Sequence, residues 1–104
     1  FLMCRGDQLD VGAGGYYNSG QIFCEVPLPV TMRTTPSLVA TSGTNYYRMF
    51  GNNTNDPFDT IILGGGQSTL MQVYQTTGIS GTTGVAGWLR TNNASASVAA
   101  ESEL

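Results

Sequence analysis

Two pairs of carboxylates and one cluster of aromatic and amide side chains are the groups of this chain best suited to chemistry. Asp56 and Asp59 flank Pro57 and Phe58, and Asp7 and Asp10 share another loop-like stretch. Two carboxylates are the minimum for glycoside cleavage, one as acid and one as base or nucleophile. Short acidic side chains also bond their own backbone and make turns, which is the simpler reading of both pairs. Calcium held by Asp56, Asp59 and nearby Asn carbonyls is a remoter alternative. Tyr46, Tyr47, Asn52, Asn53, Asn55 and Asp56 form the cluster. Flat rings beside planar amides and a carboxylate are what recognition of a sugar requires, although ordinary strand packing also accounts for the two tyrosines.

Other chemistry is excluded by what the chain lacks. It has no histidine and no lysine. Ser-His-Asp and Cys-His catalysis, His-based metal sites and a lysine-bearing phosphate loop are therefore ruled out. Cys4 and Cys24 are too few for a structural zinc. They either close a loop worth about 3 kcal/mol as a disulfide or remain thiols. We assign no catalytic residue, no metal and no cofactor. Arg5-Gly6-Asp7 is read as coincidence, and the sequons at Asn52 and Asn93 carry no weight.

The elements that must position these groups are β-strands. Glycine (14 residues) and polar uncharged side chains dominate, and only 11% of residues are charged, against roughly 25% in an average domain. No segment shows an apolar stripe at helical spacing. Period-two alternation is clear in residues 21–26, where Ile22, Cys24 and Val26 share a face, and again at Ala94, Ala96, Val98 and Ala100. Turn signals recur at 12–15, 18–20, 42–45, 51–55, 64–66, 78–84 and 92–93. The expected fold is all-β: one antiparallel β-sandwich, jelly-roll-like, of about seven or eight short strands spanning residues 1–104.

Residues 58–63 and 70–75 read as strands apolar on both faces. A two-layer sandwich dries only one face of each sheet, so the second face calls for another chain and a homo-oligomer is expected, the alternative being that the extra apolar residues sit under loops. Depletion of charge fits such an interface. Trp88 and Tyr74 are expected in the core or at that interface. The formal charge of −3 with four scattered arginines argues against nucleic acid, which needs clustered cations. No apolar run is long enough for membrane insertion. A chain opening on Phe1 is expected to be a segment of something longer.

Residues 26–38 contain the kernel Pro29-Val30-x-Met32-Arg33-x-x-Pro36. Prolines at 27, 29 and 36 make an extended connector that crosses between sheets. Val30 and Met32 would plug the sandwich, and Arg33 would tie down unpaired carbonyls. With the Gly87-Trp-Leu-Arg90 strand and the acidic ending Ala100-Glu-Ser-Glu-Leu104, this kernel resembles the C-terminal domains of tailed-phage tail-fibre and virion appendage proteins. The resemblance covers roughly residues 22–104. It implies a virion structural protein assembled in the host cytoplasm, with Pro29, Met32, Arg33 and Pro36 as structural residues and both cysteines as free thiols. It further implies a trimer favoured among oligomers, a host-surface glycan or other virion proteins as partners, and no enzymatic activity. A head-fibre, decoration or collar protein without a receptor role is the alternative, and a depolymerase fragment the weakest.

Overall fold

The computed structural model describes residues 2–51 and 54–101. Every regular element is a strand: β1 (Leu2–Arg5), β2 (Asp10–Asn18), β3 (Gln21–Pro27), β4 (Ser37–Ala40), β5 (Tyr47–Gly51), β6 (Thr54–Phe58), β7 (Ile62–Gln67), β8 (Leu70–Gln75), β9 (Ala86–Thr91) and β10 (Ser97–Glu101). All pairings are antiparallel. A seven-stranded sheet has the order β6-β5-β9-β2-β3-β8-β7, and a three-stranded sheet the order β1-β10-β4. The all-β sandwich expected from the turn spacing is therefore present, with ten strands.

Alternation explains the core. Ile22, Cys24 and Val26 of β3, Met71 and Val73 of β8, and Leu89 of β9 point inward from the large sheet, and Val98 and Ala100 of β10, with Ala96 just before it, meet them from the other side. Each is buried. Tyr47, Met49 and Phe58 complete the cluster at the β5–β6 end. The proline-rich stretch does carry the chain from β3 in the large sheet to β4 in the small one. It is held by the amides of Leu28 and Met32, which donate to the carbonyls of Thr69 and Ser68 at 2.9 and 2.7 Å.

Four local expectations are corrected. Residues 12–15 are the middle of β2, at the centre of the large sheet. Their glycines answer close approach: a Cβ on Gly14 would fall 2.1 Å from the Phe23 carbonyl oxygen, and one on Gly12 2.2 Å from that of Glu25. Residues 64–66, also read as a turn, lie within β7. Residues 58–63 are not one strand. After Phe58 the chain leaves the sheet and its polar groups bond elsewhere: Asp59 accepts the Asn45 amide, Thr60 Oγ1 meets Ser42 Oγ, and Gln75 Nε2 at the end of β8 donates to the Thr60 carbonyl. Phe58 and Ile61 are thereby buried within one chain, and only Ile62, 39% exposed, lacks cover. In the kernel, Pro36 is buried and Met32 packs on the core, but Val30 is 47% exposed. Arg33 is exposed and its side chain makes no hydrogen bond or ion pair among the described residues. Pro29 is exposed at the rim of a groove.

Candidate functional site: the outer face of the large sheet

The small sheet covers the inner side of the large one, so the side chains on the other side of the seven strands face outward. On β5 and β9 the register sets Arg48 opposite Arg90 and Phe50 opposite Trp88. Tyr47, Met49, Leu89 and Thr91 alternate with them and fill the core. Trp88 is 51% exposed. Its ring stacks beside Phe50, with centroids 6.4 Å apart at 29°. Both guanidinium groups lie against these rings: Arg90 at 4.7 Å from the Phe50 centroid and 5.9 Å from Trp88, and Arg48 at 5.3 Å from Phe50. Arg90 Nε donates to Asp10 Oδ1 at 2.6 Å. Arg48 donates from Nη1 to the neutral Asn55 Oδ1 at 3.0 Å. Cations held on aromatic faces keep their charge while exposing it at a defined place.

Beside this platform the β2–β3 ladder stops at Ala13 opposite Glu25, although β2 begins at Asp10 and β3 runs to Pro27. A groove of about 670 Å³ occupies the opening, walled by Trp88, Ala13, Leu70, Pro27 and Leu28, with Met3 and Cys4 reaching it from the small sheet. On the far half of the same face, register aligns Phe23, Tyr74 and Ile62 in one apolar row across β3, β8 and β7. Phe23 and Ile62 are exposed and Tyr74 is half-buried.

The described members of the aromatic and amide cluster singled out in the sequence do not share one surface. Tyr47 lies opposite Phe58 in the β5–β6 hairpin, whereas Asn55 lies opposite Phe50, three residues further along. Tyr47 is 0% exposed. Its ring stacks on Phe58 at 6.2 Å, and its hydroxyl donates toward the carbonyls of Thr41 at 2.6 Å and Ser97 at 3.2 Å. It is a core residue that ties the two sheets together, not a ligand contact. Tyr46 is half-buried, with its ring over Gly43. Asp56 is 8% exposed. Its Oδ2 accepts the Tyr16 hydroxyl at 3.0 Å and the Ser80 amide at 2.9 Å, which anchors the segment 76–85 across the end of the sandwich. Asn52 and Asn53 lie outside the described residues. Asn55 is exposed on β6 and holds Arg48.

The carboxylate pairs are likewise divided: Asp10 serves Arg90, Asp56 serves Tyr16 and Ser80, and Asp59 serves Asn45. Among the described residues no three Cys, Asp or Glu side chains converge as a metal site would require. Trp88 was expected in the core or at an interface, and the structure corrects the first of these. The signal was available: period two places Trp88 on the same face as Arg90, and a guanidinium does not share the dry side of a sandwich.

Both cysteines are free thiols, Cys24 in the core with its Sγ 3.6 Å from Met49 Sδ. Burial pushes the Cys24 thiol up to about 12. Burial also raises the Tyr16 phenol, helped by its bond to Asp56. A raised thiol pKa favours the fold while the group is neutral, so this contribution is complete below about pH 9 and is lost as pH climbs towards 12. Chemical-denaturation midpoints should therefore fall steeply over that alkaline window. Cys24→Ala, though less stable at neutral pH through the lost packing, should show a shallower alkaline decline. Equal slopes in the two proteins would contradict this assignment.

Comparison with protein-family models, with curated proteins and with solved structures found no match to this chain.

Proposed function

We propose that this chain is a non-enzymatic virion structural protein, a tail-fibre-tip-like domain that attaches to a host-surface glycan through the outer face of its large sheet. The observation that carries the reading is Trp88, a large aromatic half exposed on the outer sheet face, with the Arg90 guanidinium 5.9 Å from its ring and the Arg48 guanidinium against the neighbouring Phe50 ring. An indole offers a sugar's C–H face a broad, rigid surface at little entropic cost, and adjacent polar donors fix the sugar's orientation. The kernel in residues 29–36 supports the appendage context by its resemblance. Single sites of this kind are weak, so avidity comes from several copies. We assign the contact between copies to the uncharged row Phe23, Tyr74 and Ile62, with a trimer favoured and the particle assembled in the host cytoplasm.

The groove beside Trp88 favours a second reading, an architectural head-fibre, decoration or collar role, because its walls are chiefly apolar and suit a segment of another virion protein. A glycan array probed with the assembled protein, its mass measured under native conditions, separates the two. Glycan signals from a multi-copy species are expected. Absence of signal at any protein concentration would overturn attachment in favour of architecture, and well-folded lone subunits at micromolar concentration would overturn the assembly.

A further inference from the structure

We infer that the Trp88 platform selects acidic sugars, binding a carboxylate-bearing saccharide whose ring lies on the indole and whose carboxylate meets Arg48 and Arg90. This deepens the glycan-attachment reading and rests on it.

The chain has four arginines and a formal charge of −3, yet two of those arginines face each other directly across β5 and β9. Like charges in that position destabilise a sheet. Asp10 offsets one of them, through Arg90. The side-chain partner of Arg48 is a neutral amide, Asn55, and its Nε is buried with no hydrogen-bond partner among the described residues. An anion against the open end of that guanidinium complements it, on a face whose carboxylates, Asp10 and Glu25, line the neighbouring groove.

The shape of the platform then restricts the anion. Both guanidinium groups are fixed by the Phe50 ring, so the forks do not move freely to follow a flexible ligand. A fixed planar fork matches a carboxylate with two parallel N–H bonds. Arg90 sits 5.9 Å from the Trp88 ring centroid, so a sugar resting on the open part of the indole lies next to the guanidinium. Simple anions would lack the stacking half of the contact, and neutral sugars the charged half.

The test uses the assembled full chain and matched glycan pairs: polygalacturonate against its methyl ester, and sialylated oligosaccharides against their desialylated forms. At low salt, where exposed charges are least screened, at least one acidic member should bind about tenfold or more tightly than its neutral partner. Arg48→Gln should collapse that ratio towards one while leaving weak binding of the neutral partner. Arg48→Lys, which keeps the charge and loses the fork, should recover only part of it, and thermal melts of both variants report that the fold is intact. Equal binding of acidic and neutral partners overturns the inference but leaves glycan attachment standing, as does a ratio that survives Arg48→Gln. Competition by poly-L-glutamate as strong as by the acidic sugar reduces the site to simple ion binding and overturns it too. Silence from every glycan removes both readings together.

Discussion

Tyr47→Ala is expected to lower unfolding stability by about 3–5 kcal/mol, the range for removing a large aromatic from a packed core, and Tyr47→Phe by about 1–2 kcal/mol. The two losses have different origins. Alanine empties the space against Phe58 in the middle of the β5–β6 end of the core. Phenylalanine keeps that packing and removes only the hydroxyl, leaving the carbonyls of Thr41 and Ser97 without it. Those carbonyls flank β4 and open β10, both in the small sheet, whereas Tyr47 opens β5 in the large one. The hydroxyl therefore spans the two layers, and its loss acts on the joint between them. A small domain holds only about 5–15 kcal/mol in total, so the alanine variant should be partly unfolded at physiological temperature. The phenylalanine variant should melt about 5–10 °C lower. Thermal melts and urea titrations read both. An unchanged melting temperature in Tyr47→Phe would show that the hydroxyl does not bridge the sheets in solution.

Trp88→Ala should behave in the opposite way. Its side chain adds little to the core, so stability should change by no more than about 1 kcal/mol, the scale of the lost contacts with Phe50 and Arg90. Binding should fall sharply. Truncating a central aromatic anchor typically removes about 2–4 kcal/mol of affinity, a factor of about 30 to 1,000 at each site. Several copies on one assembly magnify that loss. A well-folded Trp88→Ala protein that still bound its target at full strength would move the contact surface elsewhere.

The contrast between these two residues also shows what the sequence made legible. Strict alternation in β3 and β10 announced both their conformation and their buried faces, because isolated period-two patterns have one physical solution. The proline connector was readable for a similar reason: fixed φ angles and missing donors leave it few places to go. The ten-strand count was not legible. Glycines in β2 carry the ordinary signature of turns, and only the backbone of β3, unknown until the sheet is assembled, explains why a Cβ is excluded there. Tyr46 and Tyr47 posed a phase problem, since neighbours on a strand cannot both face inward. Met49, two residues on, resolves it in favour of Tyr47. Asp56 looked like a surface carboxylate because its partners, Tyr16 and Ser80, are distant in sequence. Trp88 failed for a different reason. Large aromatics are commonly buried, which points Trp88 to the core or an interface; Arg90 on the same face is the guide that excludes the core.

Trp88 is the only tryptophan in the chain, so its fluorescence reports on the outer face of the large sheet alone. Acrylamide quenching of its fluorescence, measured in the free native protein and again with bound target, is the most direct test. The indole should be readily quenched in the free protein and shielded when the target binds. Strong shielding in the free state, or quenching that does not change on binding, would contradict the claim that this face of the sheet is the working surface.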